Sequence, residues 1–203
     1  MKIICIGRNY VEHIRELNNS IPAEPVFFLK PDTSLLIRNR PLYYPPFTKE
    51  LHYEAELVLK ISKVGKHIQK EFAETYFDEI TMGLDMTARD LQETAKRKSL
   101  PWTIAKGFDQ AAPIGRFMPR SRFADLKNIS FRLNLNSKTV QNGNSGLMIY
   151  SFEDIISWIS NFITLRTGDL IFTGTPSGVG PVKIGDILEA YLEDEKVLKC
   201  EIK

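Results

Sequence analysis

The chain has 203 residues, of which 43% are apolar and 26% are charged, the proportions of an ordinary globular protein rather than a disordered one. Its 27 basic and 25 acidic residues leave a net charge of only +2, which argues against nucleic-acid binding through a broad basic surface. No segment approaches the roughly 18 apolar residues of a membrane helix. Two cysteines cannot build a disulfide framework, so we expect free thiols in a reducing cytoplasm.

The first quarter of the chain predicts strands and one helix. Apolar runs at Met1–Ile6 and Val26–Leu29 predict buried strands. Between them, Asn9–Leu17 predicts a helix capped by the side chain of Asn9. The clearest pattern in the chain is the period of two over Leu51–Ile61, which predicts one continuous strand.

The middle of the chain predicts a strand between two helices. Residues Glu71–Tyr76 favour a helix, and Ile80–Met86 a strand that reaches its end at Asp85. A second helix is expected over Thr87–Lys98, with Thr87 and Asp90 as a capping box. Its basic end, from Lys96 to Lys98, suits the negative pole of the helix dipole and is expected on the surface.

The second half is predicted to be mostly strand. Ile129–Leu135 alternates, and Asn142–Gly143 is typical of a tight turn. Ser151 is expected to open an amphipathic helix whose apolar stripe consists of Ile155, Ile156, Ile159, Phe162 and Ile163. Thr167–Ile171 and Ile184–Leu188 each indicate a turn that leads into a strand. Short helices among many strands predict a β-rich α+β fold, as a single domain over residues 1–203.

Three acidic residues are the strongest candidates for chemistry. Glu54 and Glu56 share one face of the predicted strand, with carboxylates roughly 7 Å apart or closer, and Asp85 ends another strand. Three carboxylates without a nearby cysteine favour a hard divalent cation, Mg²⁺, Mn²⁺ or Ca²⁺, with positions left for water and substrate. The alternative is ordinary: a solvated polar strand face, with Asp85 as a turn or cap residue.

Six sequence blocks occur in a characteristic order along nearly the whole chain. They resemble the fumarylacetoacetate hydrolase family, and within it the compact branch of acylpyruvases and oxaloacetate decarboxylases. The blocks are Gly7–Tyr10 with His13 and Glu16, Leu29–Pro31, His52–Leu57, Leu84–Asp90, Pro101–Asp109 and Thr173–Gly180. The resemblance implies a mixed β-sandwich roll with short peripheral helices, usually assembled as a homodimer.

The resemblance also implies roles for individual residues. It implies that Glu54, Glu56 and Asp85 bind Mg²⁺ or Mn²⁺, with Ca²⁺ as a possible substitute in a crystal. Catalytic roles are implied for His13 and Glu16, which would activate a water molecule, and for Lys106. Substrate contacts are implied for Arg8, Tyr10, Lys30, Arg89, Gln92 and Thr175.

These groups suit the cleavage of a small 2-oxo acid that carries a second carbonyl at carbon 4. Breaking its C3–C4 bond leaves an enolate, whose charge a metal stabilises. We therefore expect a divalent-metal-dependent hydrolase of C–C bonds in acylpyruvate-like 2,4-dioxo acids, with His13 accepting a proton from water. The same metal site would serve an oxaloacetate decarboxylase or a 2-oxo-diene-dioate isomerase or decarboxylase. A metal-bound small-ligand binder and a non-catalytic interaction domain are further alternatives.

Two further expectations concern the surroundings of the site. Trp102 and Trp158 are expected to pack in the core rather than to contact a ligand. Gly146 stands where the family often carries a hydroxyl group, so a contact between this loop and the substrate would alter the preference for the distal group.

Overall fold

The computed structural model describes residues 1–16 and 20–203. Its helices are short: α1 (Val11–Glu16), α2 (Lys70–Ala73), α3 (Arg89–Arg97), α4 (Thr103–Lys106) and α5 (Phe152–Phe162). Single turns of 3₁₀ helix lie at Asp32–Ser34, Glu74–Tyr76, Arg120–Arg122 and Ser145–Leu147. The predicted end of the first helix at Leu17 lies outside the described residues. Within those residues, no helix is long and apolar enough to span a bilayer.

Most of the regular structure is strand. The strands are β1 (Ile3–Gly7), β2 (Val26–Lys30), β3 (Leu35–Leu36), β4 (Leu51–Tyr53), β5 (Ala55–Ile61), β6 (Phe77–Leu84), β7 (Thr87–Ala88), β8 (Ala112–Pro113), β9 (Met118–Pro119), β10 (Ser130–Leu135), β11 (Lys138–Asn144), β12 (Leu170–Phe172), β13 (Gly180–Pro181), β14 (Ile187–Leu192) and β15 (Glu195–Glu201). They form a six-stranded sheet in the order β2-β1-β12-β5-β6-β9, a four-stranded sheet β11-β10-β14-β15, and small sheets β13-β4-β7 and β3-β8. The pairs β1–β12 and β3–β8 are parallel and the other described pairs antiparallel. The predicted mixed, β-rich α+β fold is thus confirmed.

The six-stranded sheet is buried on both faces. Successive side chains of a strand point to opposite faces, so Leu57 and Leu59 of β5 enter the main core with α5 and the four-stranded sheet. Val58, between them, joins a second cluster with Ile3 and Phe172 on the other face. At one edge of the sheet, β2 pairs with β1 alone. The predicted Val26–Leu29 strand is therefore partly exposed rather than fully buried.

The predicted continuous strand over Leu51–Ile61 is interrupted at Glu54. β4 pairs with β7 and β13, whereas β5 pairs with β6 and β12 in a different sheet. The backbone N–H of Ala55, at the start of β5, donates to the side-chain Oε1 of Gln141 at 2.9 Å. The Gln141 side chain, which is distant in sequence, thus takes the place of a backbone hydrogen-bond partner where the predicted strand is interrupted.

The helix predicted over Thr87–Lys98 begins two residues later, at Arg89. β6 ends at Leu84, and Thr87 belongs to β7, where His52 is its partner. The predicted capping box is wrong, because the residue at the N-cap position of α3 is Ala88, which has no side chain that could accept a capping hydrogen bond. The Thr87 hydroxyl instead donates to the Asp85 carbonyl at 3.1 Å, which holds the turn after Asp85 tightly.

The Asn142–Gly143 pair does not form a turn, contrary to the prediction. Both residues lie within β11, and the hairpin between β10 and β11 turns at Asn136 and Ser137 instead. These two residues have φ of 50° and 69°, the left-handed pair that a two-residue hairpin turn requires. Gly143 is needed for packing, because a Cβ there would lie 2.4 Å from the ring of Phe131.

The predictions near the C-terminus hold. Helix α5 begins after Ser151, which forms a reciprocal capping box with Asp154. Most of its predicted apolar stripe is buried, although Phe162 at its end is 58% exposed. Gly168 and Gly185, with φ of 87° and 94°, form the turns before β12 and β14.

Candidate active site

The three predicted carboxylates converge in space. One oxygen each of Glu54, Glu56 and Asp85 lies within 4.8 Å of the others, and all three residues are buried. The antiparallel pairing of β5 with β6 places Glu56 opposite Gly83 and Ala55 opposite Leu84. Immediately beyond this register, the Asp85 N–H donates to the Glu54 carbonyl at 2.8 Å. The strand pairing therefore brings together acidic residues that are about 30 positions apart in the chain.

Three cations surround these carboxylates. Lys106 Nζ lies 2.9 Å from Glu54 Oε2 and 2.7 Å from Asp85 Oδ2. Arg89 Nη2 contacts Glu54 Oε1 at 2.5 Å, and Lys30 Nζ lies 2.7 Å from Asp85 Oδ1. Lys106 also donates to the Thr87 hydroxyl at 2.6 Å. Glu54 and Asp85 are therefore each compensated by two cations.

Glu56 differs from the other two carboxylates. Among the described residues no cation forms an ion pair with it, and its hydrogen bond comes from the Gly174 N–H at 2.7 Å. Burial and the neighbouring Asp85 and Glu54 carboxylates raise its pKa well above the usual range. Burial also opposes ionisation of Glu54, but Lys106 and Arg89 outweigh it and hold the pKa of Glu54 low.

The donor set fits a hard divalent cation. All three groups offer carboxylate oxygens, which Mg²⁺, Mn²⁺ and Ca²⁺ prefer. Asp85 Oδ1 is buried without a well-directed hydrogen bond, and Glu56 lacks a positive partner. Additional positive charge at this point would satisfy both groups, so Glu54, Glu56 and Asp85 are the residues that would hold the ion.

His13 and Glu16 are in contact, as their spacing on one helix predicts. His13 Nδ1 lies 3.2 Å from Glu16 Oε2, and His13 is 6% exposed. Glu16 also accepts from the Gly178 N–H, at 3.1 Å to Oε1. The carboxylate thereby holds both the imidazole ring and the glycine-rich loop that contributes Gly174 to the acidic centre.

Asn9 anchors the helix that carries His13. Its predicted role as a helix cap is wrong, because its side chain reaches other segments of the chain. It donates to the Thr173 carbonyl at 2.8 Å and accepts from the Tyr150 N–H at 2.8 Å. A Cβ on Gly174, whose φ is 99°, would lie 2.7 Å from Asn9 Cβ. The start of α1 is thus fixed directly against the 173–178 loop.

Gln141 is a positioning residue that sequence inspection does not find. Its Nε2 donates to the Thr175 hydroxyl at 2.8 Å and to the Pro176 carbonyl at 2.9 Å, while its Oε1 accepts from Ala55. Thr175 in turn donates to the Ala55 carbonyl at 2.8 Å. One buried amide therefore connects the peptide between Glu54 and Glu56 to the loop that contacts Glu56.

A cavity that is partly open to solvent contains most of the predicted site residues. Its walls include Arg8, His13, Glu54, Glu56, Asp85, Arg89, Gln92, Lys106 and Thr175, and also Lys96 and Trp102. Trp102 is therefore a wall of the cavity rather than a core residue, contrary to the prediction. Lys96 was expected only as the exposed end of a helix.

The remaining predicted residues do not line this cavity. Glu16 contacts His13, which lines the cavity. Lys30 lies behind Asp85 and donates to the carbonyls of Met86 and Ala111 at 3.2 and 3.0 Å. Tyr10 packs edge-on against Phe131, with ring centroids 6.4 Å apart, and is 2% exposed.

Gly146 likewise stands outside the cavity walls. It lies in an exposed 3₁₀ turn, where a Cβ would approach the Lys127 carbonyl to 2.5 Å. The expected effect of Gly146 on the distal substrate group therefore receives no support, and close packing against the backbone accounts for the glycine.

With this geometry, comparison with known proteins establishes the class. The family described as "Fumarylacetoacetate (FAA) hydrolase C-terminal" matches residues 2–203. The chain belongs to the fumarylacetoacetate hydrolase family, as its sequence blocks indicate.

Individual relatives carry several different activities in their names. The chain is 45% identical over 189 residues to an oxaloacetate decarboxylase, mitochondrial, of Dictyostelium discoideum, covering 93% of this chain and 87% of that one. It is 42% identical over 188 residues to the mitochondrial oxaloacetate tautomerase FAHD1 of Homo sapiens, with coverages of 93% and 85%. A fumarylpyruvate hydrolase from Pseudomonas aeruginosa, solved with Mn²⁺ and pyruvate, superposes with a TM-score of 0.94 at 36% identity, covering 100% and 89%.

Proposed function

We propose that this protein is a divalent-metal-dependent enzyme that acts on a small 2-oxo acid through an enol or enolate. The observation that carries this proposal is the convergence of Glu54, Glu56 and Asp85 at one cavity with His13 and Lys106. A bound divalent cation supplies Lewis-acid stabilisation of negative charge on substrate oxygens. Mg²⁺ or Mn²⁺ is the proposed ion, supported by the oxygen donors here and by the Mn²⁺ of the Pseudomonas aeruginosa relative.

The chain's own residues supply proton transfer and charge. With Nδ1–H of His13 donating to Glu16, the Nε2 atom keeps a lone pair with which to accept a proton from water or from carbon 3 of the substrate. Lys106, already held by Glu54 and Asp85, adds fixed positive charge beside the reacting oxygens. The buried position of both groups limits access of bulk water.

Within this enzyme class, two specific reactions are each supported by different observations. Hydrolysis of the C3–C4 bond of an acylpyruvate-like 2,4-dioxo acid is supported by the His13–Glu16 pair and by the fumarylpyruvate hydrolase relative. Decarboxylation or tautomerisation of oxaloacetate is supported by the relatives at 40–45% identity that carry those names. We favour hydrolysis, because the pair can aim and deprotonate a water molecule.

A parallel assay separates these reactions. With Mg²⁺ or Mn²⁺, we expect acetylpyruvate to have the higher specificity constant, and we expect His13→Ala to lower its turnover about 100-fold or more. Pyruvate formation from acetylpyruvate and from oxaloacetate, and ketonisation of oxaloacetate, are followed side by side. A higher specificity constant for oxaloacetate would overturn the hydrolase assignment, and turnover of neither acid with any divalent ion would overturn the enzyme class.

Gln141→Leu is expected to weaken metal binding although Gln141 contacts no ligand oxygen. The change leaves the Ala55 N–H unpaired, which costs about 1–3 kcal/mol of folding free energy. Loss of such orienting contacts typically reduces metal affinity by about 10–100-fold. Titration calorimetry with Mn²⁺ measures the effect, and Gln69→Leu, at an exposed residue without a capping contact, is the control. An unchanged Mn²⁺ affinity in a folded Gln141→Leu protein would contradict the positioning role.

Several broader expectations stay predictions. These are the single catalytic domain over residues 1–203, the homodimer and the cytoplasmic location. Both cysteines are free and buried, which suits a reducing compartment, whereas the relatives from Dictyostelium discoideum and Homo sapiens are named as mitochondrial. Sedimentation of the purified protein measures the oligomeric state.

A further inference from the structure

The start of α3 is tied to the segment that precedes β4. The Thr48 hydroxyl donates to Asp90 Oδ1 at 2.5 Å, and the Lys49 N–H donates to Asp90 Oδ2 at 3.0 Å. The Arg89 N–H in turn donates to the Glu50 carbonyl at 2.8 Å. Thr48 is 6% exposed, and its hydroxyl also accepts from the Glu50 N–H at 3.2 Å. This buried hydroxyl therefore joins two segments that are 42 positions apart in the chain.

The α3 helix presents one face to the cavity. Arg89, Gln92 and Lys96 all line the cavity, and their spacing places them on the same side of a helix. Arg89 Nη1 donates to Gln92 Oε1 at 2.6 Å, while Arg89 Nη2 contacts Glu54 Oε1. Any rotation of α3 about its axis would therefore displace these cavity walls together and withdraw one cation from the acidic centre.

Asp90 takes over the work of the missing N-terminal cap of α3. The residue at the N-cap position, Ala88, makes no side-chain hydrogen bond, whereas Asp90 Oδ1 accepts from the Leu91 N–H at 2.9 Å in the first turn. Partial burial opposes ionisation of Asp90, but the hydrogen bonds from Thr48 and Lys49 outweigh it and hold the pKa of Asp90 below its ordinary value. Because a charged acceptor makes the stronger hydrogen bond, the fixed point of the helix lies at Asp90.

We propose that Thr48 and Asp90 are positioning residues that fix the first turn of α3, so that the Arg89 guanidinium and the Gln92 amide face the cavity in the orientation that binds a 2-oxo acid. Neither Thr48 nor Asp90 lines the cavity, so their effect on the ligand passes through Arg89 and Gln92. The inference rests on the proposed function, because it takes this cavity as the place where the 2-oxo acid binds. It concerns the orientation of α3 and applies equally to hydrolysis, decarboxylation and tautomerisation.

The Arg89 side chain reports on this contact in the metal-free protein. Thr48→Val keeps the size of the side chain and removes the hydroxyl, which leaves Asp90 without one donor and the Glu50 N–H without its acceptor. We expect the NMR resonance of the Arg89 Nε–H group, identified by its absence from Arg89→Lys, to shift or broaden in Thr48→Val. Thr48→Ser, which retains the hydroxyl, is expected to keep the wild-type resonance.

Ligand binding measures the consequence at the cavity. Pyruvate is the probe, because the Pseudomonas aeruginosa relative was solved with Mn²⁺ and pyruvate. In titration calorimetry of the Mn²⁺-loaded protein, we expect Thr48→Val to bind pyruvate about tenfold more weakly and Thr48→Ser to stay within about twofold of the wild type, since the loss of one hydrogen bond to a charged group has this magnitude.

Ser160→Ala is the matched control. The Ser160 hydroxyl is likewise buried and accepts from the Ile68 N–H at 2.8 Å, across 92 positions, but it lies outside the cavity walls. Its removal is expected to lower the stability of the protein in urea, as Thr48→Val does, and to leave both the Arg89 resonance and the pyruvate affinity unchanged. This comparison separates a loss of stability from a loss of positioning.

An unchanged Arg89 resonance or an unchanged pyruvate affinity in folded Thr48→Val, or the same weakening in Ser160→Ala, would overturn the positioning role. Failure of the proposed function gives a different result, because the wild type would then bind no pyruvate in the presence of Mn²⁺. The Arg89 resonance of the metal-free protein decides the inference in that case: a shift in Thr48→Val but not in Ser160→Ala supports it, and the absence of a shift overturns it.

Discussion

Glu56→Gln is expected to lower the affinity for Mn²⁺ by more than about 100-fold and to abolish turnover. Loss of a group that merely orients a metal ligand typically costs about 10–100-fold in affinity, and a ligand itself contributes more. Glutamine keeps the shape of the side chain and can still accept the Gly174 N–H, so the local backbone is preserved. Titration calorimetry and the acetylpyruvate assay measure the two effects.

The same variant is expected to be at least as stable as the wild type when both are free of metal. Glu56 is 1% exposed, lies beside Asp85 and Glu54, and has no ion-paired cation among the described residues. Its removal therefore relieves repulsion between like charges, in the manner of a functional residue that is retained at the expense of stability. Urea denaturation in the presence of a chelator measures this.

Glu71→Gln is the control for this experiment, because Glu71 is exposed on α2. It should change neither Mn²⁺ affinity nor stability by a measurable amount. Wild-type Mn²⁺ affinity in Glu56→Gln would remove Glu56 from the ligand set. A marked loss of metal-free stability would show that the buried carboxylate stabilises the fold.

Lys106→Met, in contrast to Glu56→Gln, is expected to destabilise the metal-free protein. The expected loss is about 3–5 kcal/mol, which is the usual cost of removing one partner of a buried ion pair. Lys106 is 2% exposed and donates to Glu54, Asp85 and Thr87. Without it, buried negative charge is left with less compensation. Mn²⁺ should recover part of the lost stability, because positive charge returns to the same carboxylates.

Lys60→Met is the matched control for Lys106. Lys60 also pairs with a glutamate, Glu79, but its side chain is 40% exposed, so we expect a loss within about 1 kcal/mol. Lys106→Arg serves as a second variant that keeps the charge and should retain more stability than Lys106→Met. Equal losses in Lys60→Met and Lys106→Met would contradict the account of a buried charge cluster.

Local signals predicted the elements that depend on neighbouring residues. The alternation of Leu57, Val58 and Leu59 between the two faces of β5 and the Ser151 cap of α5 appear as expected, because periodicity and capping act over a few residues. The Asn142–Gly143 turn was wrong for the converse reason. That pair is typical of a hairpin turn, but the ring of Phe131 across the strand pair makes glycine necessary within β11.

The acidic centre could be predicted from the sequence. Glu54, Glu56 and Asp85 lie in motifs that resemble a known family, and all three carry carboxylate oxygens. The contacts that shape the cavity depend on the fold. Gln141 reaches the Ala55 peptide across 86 positions, and Lys96 is a wall of the cavity with its Nζ 5.7 Å from the centroid of the Trp102 ring. Residue types and local spacing thus identify which chemistry is available. Strand register and the pairing of buried charges decide which side chains orient the metal-binding carboxylates and which compensate their charge. Only the folded chain determines these two features.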